Sequence, residues 1–315
     1  MKKKLTIALL SGGVSSEREV SLNSGNQVYE ALNKEKYDIL RYDPQTDLPR
    51  LVSDASRIDA ALIILHGPFG EDGTVQGLLD LLGIPYQGSG VLGSAAAMNK
   101  LAAKRLYEQA GLPIPDYLVV HRGEGIDPDA VVQQLGLPLV IKPVVGGSSV
   151  GITIVRRPDG LRSAVEAGWA HDPSVLIEAY ITGTEITGGV IGNDTLEALP
   201  LIEIIPDRNR EFFDYTAKYT AGVTEEICPA RIDPELTAKA QNLALEAHRT
   251  LFCRGYSRSD MMVRGREILL LETNTIPGMT ATSLLPRAAR TAGLSFSRLL
   301  DRLIELSLEG RHRYG

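Results

Sequence analysis

The chain has 315 residues, and at 43% hydrophobic it can bury a full core without disulfides or structural metals. Its 33 lysines and arginines against 39 acids leave a net charge of −6 with no basic block, which argues against nucleic acid as the main partner. Cys228 and Cys253 fit no zinc or redox spacing and read as free thiols, and no segment stays apolar over the ~20 residues of a membrane span. The lysine-rich start, Met1–Leu10, lacks the longer apolar run and cleavage site of a signal peptide, so a cytoplasmic protein is expected.

Taken in chain order, residues 1–95 alternate strand and helix: strand Leu5–Leu10, helix Val20–Asn33, strand Tyr37–Tyr42, strand Ala60–Leu65, helix Val75–Leu82. This rhythm predicts an open parallel sheet, whose ligands sit beyond the carboxyl ends of its strands. Ser11-Gly12-Gly13 and His66-Gly67 occupy two such ends. Gly88-Ser89-Gly90 reads as a boundary. Helix Met98–Ala110 follows, then strand Tyr117–Val120, helix Pro128–Leu135, strand Leu139–Lys142, a glycine loop, strand Ile152–Val155, helix Leu161–Trp169 and strand Val175–Ala179. That is a compact α+β unit. From Thr184 come long strands, a polar stretch Pro206–Glu226, helix Pro234–Leu251, two further strands and two final helices. The polar stretch holds Phe212, Phe213, Tyr215 and Tyr219, and its length inside a compact domain points to a closing lid.

The chemistry concentrates where Arg258-Ser259-Asp260 is followed by Leu271-Glu272-Thr273-Asn274. Both read as strands, and a turn at Arg264-Gly265-Arg266 brings Asp260 level with Glu272. Two carboxylates and the Asn274 amide then converge, with a guanidinium two residues from the first acid. Such oxygen ligands suit magnesium, which shares its shell with substrate phosphates, so a nucleotide is expected. Lys142 to Gly151 supplies the complement, a lysine at a strand end followed by Gly146-Gly147-Ser148-Ser149. Glycines let backbone N–H groups approach a phosphate, and the lysine adds a point charge. The order is not that of a P-loop, since the lysine precedes the glycines.

Three other stretches carry candidate groups. His66 to Thr74 leaves an apolar strand and enters a helix, whose start presents unpaired N–H groups to an anion; Asp72 and Thr74 also read as caps. In Gly12 to Glu19, either Glu17 or Glu19 suits a cationic amine, or serves only as first-turn helix charge. Asn274 to Thr280 contains a glycine turn able to aim a backbone N–H at an oxyanion, with Ser283 and a helix start beyond it.

Together these runs resemble the D-alanine–D-alanine ligases of the ATP-grasp superfamily. The resemblance rests on Gly13-x-Ser15-x-Glu17-Arg18-Glu19-Val20-Ser21, on His66-Gly67-x-x-Gly70-Glu71-Asp72-Gly73-Thr74-x-Gln76-Gly77, and on Lys142-Pro143 with Gly147-Ser148-Ser149-Val150-Gly151. It continues through Asp214-Tyr215-x-x-Lys218-Tyr219, Arg258-x-Asp260 and Glu272-x-Asn274-Thr275-x-Pro277-Gly278-Met279-Thr280. The motifs span nearly the whole chain in family order. The resemblance implies an α/β ATP-grasp fold in three domains: a Rossmann-like substrate domain over 1–95, a central subdomain over 96–181 and a catalytic domain over 182–315. It implies ligation of two D-alanines, for peptidoglycan precursor synthesis, through an acyl phosphate made from ATP.

By the same resemblance, Lys100, Lys142, Ser149 and Lys218 would hold the phosphates, and Glu178 and Glu185 the adenine and ribose. Asp260, Glu272 and Asn274 would bind two Mg2+ or Mn2+ ions. Glu17 would take the first ammonium with His66 close by, linked to Ser148 and Tyr219 in a chain that closes the lid. Arg258 and the Gly278 N–H would form the oxyanion hole, and Ser283 with the Leu284 N–H would hold the second carboxylate. A homodimer is implied, with no nucleic acid and no membrane partner. The chain departs from the pattern at Val144-Val145-Gly146, where polar residues are common; a loosened loop is expected. Ala179 stands where a lysine is usual, and Phe69 is an unusual choice in its loop. Ligation to D-serine or D-lactate, another carboxylate–amine ligase, and a non-catalytic nucleotide-binding regulator are the alternatives; Tyr219 favours an amine nucleophile, and the intact acid pair favours catalysis.

Overall fold

Residues 3–147, 151–206 and 224–309 are described by the computed structural model. They form three sheets. The first is parallel, ordered β2-β1-β3, from β1 (Leu5–Leu10), β2 (Tyr37–Tyr42) and β3 (Ala60–Ile63). The two strands β1 and β3 are largely apolar and buried, whereas the edge strand β2 exposes Asp38 and Arg41. An isolated parallel bridge, Ala61 to Tyr86, extends the sheet past β3. Gln87 continues it with its side chain, accepting from the Ile63 N–H and donating to the Ile63 carbonyl, both at 2.8 Å.

Between these strands run α1 (Arg18–Ala31), α2 (Leu48–Asp54) and α3 (Thr74–Leu81). The sequence reading missed α2. Nor did it find α4 (Val91–Met98), which enters at Gly90, and it ran the end of α4 into α5 (Lys100–Gln109). The chain breaks at Asn99, whose extended backbone and side chain cap α5 by accepting from Ala102 N at 2.9 Å.

The second sheet is antiparallel, ordered β4-β7-β5-β6, from β4 (Tyr117–His121), β5 (Leu139–Pro143), β6 (Thr153–Val155) and β7 (Ser174–Ala179). Its helices are α6 (Pro128–Leu135), capped by Asp127, and α7 (Leu161–Trp169), whose Leu161, Ala164 and Val165 pack on the sheet.

The third sheet runs β11-β10-β8-β12-β13, with β9 (Leu196–Ala198) pairing to β8 (Thr184–Gly192). Strands β10 (Ile202–Pro206) and β11 (Thr224–Ile227) pair antiparallel. The expected lid thus begins and ends on paired strands: Thr224–Glu226 are strand rather than loop, because each faces a β10 residue across the ladder. The stretch 207–223 lies outside the described residues. Strands β12 (Gly255–Arg264) and β13 (Glu267–Asn274) form the predicted hairpin, backed by α8 (Pro234–Thr250).

Two last helices, α9 (Leu284–Thr291) and α10 (Phe296–Glu309), close the structure. Leu299, Leu303 and Ile304 of α10 pack against Ile7, Leu9 and Leu62 of the first sheet, so the end of the chain covers its beginning. Each such side chain contributes roughly 1.5–3 kcal/mol of burial. Buried Asp301 fixes the docking polarity, accepting from Lys36 Nζ at 2.7 Å and Tyr37 Oη at 2.9 Å. Cys253 is a buried free thiol, and Cys228 a half-buried one.

Candidate active site

The carboxyl ends of β1 and β3 build one wall. Gly12 and Gly13 take φ of +99° and +80°, which turns the chain sharply into α1. Ser21 of α1 fastens this turn to the next strand, accepting from Gly12 N at 2.8 Å and donating to the Ile64 carbonyl. Of the two acids left open by the sequence, the fold buries Glu17 and leaves Glu19 exposed. The Glu17 carboxylate lies so close to two glycines that a Cβ added at Gly67 or Gly147 would meet Oε2 at 3.1 or 3.4 Å. The first strand end, the His-Gly loop and the glycine loop therefore meet at Glu17.

His66 is buried beside it, and Nε2 has no hydrogen-bond partner among the described residues. Burial lowers the His66 pKa, and the Glu17 charge only partly offsets this. Asp72 does cap the following helix, accepting from Thr74 N at 2.9 Å, and it also holds Phe69 N at 2.8 Å. Phe69 itself takes φ of +65° and projects outward; nothing in the structure explains its choice.

A residue that the sequence reading did not assign sits between these groups. Glu71 accepts from Gly67 N at 2.6 Å. Burial pushes its pKa up to about 8, Glu17 and Glu272 push the same way, and the Gly67 N–H and Arg258 oppose them. Glu71 therefore marks where the first wall faces β12 and β13. Its signal was an acid set between glycines in the His66 loop, overshadowed there by the histidine and the helix start.

The hairpin β12–β13 supplies the opposite wall. Register places Asp260 across from Glu272 and Arg258 across from Asn274, so all four share one face. Arg258 grips Asp260 with a two-pronged contact, Nε to Oδ1 at 3.0 Å and Nη2 to Oδ2 at 2.8 Å. Thr187 of β8 donates to Oδ1 at 2.5 Å, and Asn274 Nδ2 donates to Oδ2 at 3.2 Å. A carboxylate has about four acceptor positions. These four donors fill them. Beneath this face Tyr107 Oη and Ser259 Oγ both reach Thr273 Oγ1 at 2.8 Å, which fixes β13 from behind.

Glu272 and Asn274 line an open cleft with Glu71, Lys100, Gly146 and Gly147. Lys100, at the start of α5, donates from Nζ to the Gly146 carbonyl at 2.6 Å. The base of the glycine loop is tied down, since Lys100 N donates to Val144 O at 3.0 Å and Val145 N to Asp172 Oδ2 at 3.0 Å. These contacts hold the base of the loop where polar side chains are missing at Val144-Val145-Gly146, and residues 148–150, on which the expected loosening also bears, lie outside the described residues. Lys142 turns elsewhere. It pairs with Glu178, which also pairs with Lys104. Burial works against the Lys142 charge, but Glu178 and Glu272 outweigh it and hold its pKa above the usual lysine value. Glu185 is half-buried on β8, opposite Met262.

Beyond β13, Gly278 approaches Ser283: a Cβ there would stand 3.1 Å from Ser283 Oγ. Ser283 precedes α9, with Oγ accepting from Thr280 N at 3.1 Å and paired to Thr280 Oγ1 at 2.7 Å. Leu284, the first residue of α9, is buried. Ser148, Ser149, Lys218 and Tyr219 lie outside the described residues.

Among the described residues no group of three or more histidine, cysteine or acidic side chains is placed to hold a metal. The donor set here is two acids and an amide, and the remaining ligands would come from phosphates, as magnesium sites commonly arrange. Asp260, Glu272 and Asn274 fit such an ion, provided that Asn274 releases its bond to Asp260. No helix among the described residues is long and apolar enough to cross a membrane.

Comparison with known proteins agrees along the whole chain. Residues 106–305 match the family model described as D-ala D-ala ligase C-terminus, and residues 44–89 match D-ala D-ala ligase N-terminus. The D-alanine--D-alanine ligase of Syntrophobacter fumaroxidans is 64% identical, over 98% of this chain and 99% of its own. Among solved structures, the D-alanine--D-alanine ligase from Bacillus anthracis complexed with ATP superimposes with a TM-score of 0.86 at 38% identity, covering 99% of this chain and 100% of that one. The VanG D-Ala:D-Ser ligase from Enterococcus faecalis gives 0.81 at 34% identity, covering 97% and 100%.

Proposed function

The chain belongs to the D-alanine–D-alanine ligase family, and on that premise we propose that it joins two D-alanines in an ATP-dependent reaction through an acyl phosphate. The observation that carries this reading is the convergence of several regions on one cleft: Glu71 from the loop after β3, with Glu17 close to Gly147, Lys100 from α5, the glycine loop from the second sheet, and Glu272 and Asn274 from the third. Domain limits of 1–95, 96–181 and 182–315 belong to this reading, which the presence of one sheet within each range supports. The triphosphate lies between the second and third, held by Lys100, Lys142, Ser149 and Lys218, with Glu178 and Glu185 at the base and ribose.

A carboxylate is a poor electrophile at neutral pH, so phosphorylation must come first. Asp260, Glu272 and Asn274 would hold magnesium or manganese, which would supply charge neutralisation during phosphoryl transfer. Glu17 anchors the first ammonium, with His66 beside it and Ser148 and Tyr219 linking it to the lid. The amine of the second D-alanine then attacks the acyl carbonyl. Arg258 and the Gly278 N–H face the oxyanion, and losing one such donor costs about 3 kcal/mol. Ser283 and the Leu284 N–H receive the second carboxylate, since a helix start favours an anion. Water must be kept out because acyl phosphates hydrolyse, and on this reading that work falls to the stretch Pro206–Glu226.

D-serine as second substrate is the second reading, favoured by the likeness to a D-Ala:D-Ser ligase, because a pocket rejects an added hydroxyl weakly. The test is phosphate release and product analysis with ATP, magnesium and D-alanine, alone and with D-serine or D-lactate. D-alanyl-D-alanine as the main product is expected; phosphate release that does not depend on D-alanine overturns the reading. A cytoplasmic homodimer is proposed with it, and sedimentation checks the oligomeric state.

A further inference from the structure

One buried cation has no part in the mechanism above. Lys104 is only 2% exposed, as is Glu178, with which it forms an ion pair. It stands one turn after Lys100 on α5, so the two lysines share a helix face: the first reaches the glycine loop, the second goes deeper. The second sheet delivers its partner. Glu178 of β7 lies opposite Tyr117 of β4 and Val140 of β5, so its side chain shares their face, and Lys142, two residues along β5, reaches the other carboxylate oxygen. The Lys104 ammonium also sits 5.2 Å from the centroid of the Tyr117 ring, whose hydroxyl donates to Glu108 at 2.9 Å. One carboxylate thus serves two buried lysines.

Only one of these lysines belongs to the phosphates. When Lys142 turns to the triphosphate, Lys104 is what remains to balance Glu178. A buried carboxylate with no cation beside it takes up a proton. Its hydrogen-bonding character then changes: ionised it only accepts, protonated it also donates. The 6-amino group of adenine donates, and a 6-oxo purine presents an acceptor at the same place.

We propose that Lys104 is a positioning residue for base selection: it keeps the Glu178 carboxylate ionised and turned as a pure acceptor, so that the site takes a 6-amino purine and refuses a 6-oxo purine. This rests on the reading that Glu178 meets the base. Burial disfavours the Lys104 charge and pulls its pKa below the usual lysine value, Lys142 pulls the same way, and Glu178 and Glu108 oppose them. Burial likewise pushes Glu178 up, yet Lys142 and Lys104 together hold it below the ordinary carboxylate value. A neutral residue at 104 removes one of the two cations that keep this acid charged.

The experiment compares kcat/KM for ATP with that for inosine triphosphate in wild type, Lys104→Met, Glu178→Gln and the double variant. In Lys104→Met the ATP preference is expected to fall about tenfold and KM for ATP to rise about tenfold, with KM for D-alanine changed less than about twofold. Glu178→Gln is expected to lose the preference as well, and adding Lys104→Met to it should change nothing further. If Glu178→Gln loses the preference and Lys104→Met keeps it, the role of Lys104 is refuted while that of Glu178 stands. If Glu178→Gln keeps the preference, the reading of Glu178 itself fails. A fall in melting temperature alone, with the nucleotide ratio unmoved, reduces Lys104 to a structural residue and overturns the proposal. Should Lys104→Met not fold, Lys104→Gln, which keeps a donor for the carboxylate, takes its place in the same four-way comparison.

Discussion

The two buried charge clusters, at Asp260 and at Glu178, are built in opposite ways. Arg258 and Asp260 sit two residues apart on one strand, and Thr187 and Asn274 complete the shell of Asp260. That cluster is electrically balanced, and each carboxylate oxygen takes two donors. The cluster at Glu178 draws on three elements, α5, β5 and β7, and sets two lysines against one acid. It carries surplus positive charge in a place where burying an unbalanced ion costs several kcal/mol. On the proposed reading a triphosphate relieves that surplus, whereas a cation at Asp260 has to displace bonds already made. The Glu178 side would then be poised to gain a partner, and the Asp260 side would have to exchange one.

Breaking the balanced cluster has the largest expected consequence. Arg258→Ala removes the proposed oxyanion donor and strips Asp260 of its counter-ion. Dipeptide formation should fall about 10²–10³-fold while nucleotide binding persists, measured by product assay beside ATP-analogue titration. Near wild-type turnover in this variant would remove Arg258 from the reaction.

Glu178→Gln attacks the other cluster, leaving two buried lysines without their acid. Unfolding free energy should drop by about 3–5 kcal/mol in a urea titration, and Lys104→Met added to it should recover part of the loss. An unchanged midpoint would mean that neither lysine is held by Glu178.

A pH titration then separates ion pairs from buried neutral groups. His248 is buried with Nδ1 2.7 Å from Ser257 Oγ, and burial first, then Arg249, brings its pKa down to about 4. Its folded pKa lies below the unfolded value, so its stabilisation is fully present above about pH 6.5 and is lost as pH falls toward 4, up to about 3 kcal/mol. Glu178, also shifted downward, loses its contribution only as pH falls below the ordinary glutamate range. Replacing His248 by leucine should flatten the melting-temperature profile between pH 6.5 and 4.5; an unaltered slope would assign that acid sensitivity elsewhere.

The smallest effect is expected from Thr187→Val. It removes one of the four donors to Asp260, worth about 1.5–3 kcal/mol for a bond to a charged acceptor. If catalysis suffers more than stability, Thr187 aims Asp260 rather than merely satisfying it.

Much of this site was legible locally. The strands around Asp260 and Glu272 alternate with period two about a short turn, which is enough to set the acids side by side. Glycines after apolar strands marked the turns at Gly12-Gly13 and Gly67, since only glycine adopts those angles cheaply. Other features carried no local signal. Helix α4 is rich in alanine and shows little amphipathic contrast, so periodicity did not separate it from α5, and the break rests on one asparagine cap.

What the sequence by itself determined, then, is what lies within one hairpin, one turn or one helix: the Arg258–Asp260–Glu272–Asn274 face, the lysine before the glycine loop, the two final amphipathic helices. Only the tertiary structure decided that Glu17 rather than Glu19 is buried, that Glu71 stands among Glu17, Arg258 and Glu272, that Lys104 shares Glu178 with Lys142, and that α10 covers the first sheet. The reason is range. Periodicity and turn chemistry act over a few residues, while each of these outcomes depends on which distant surface removes a side chain from water, and a buried charge accepts only the partners that surface brings.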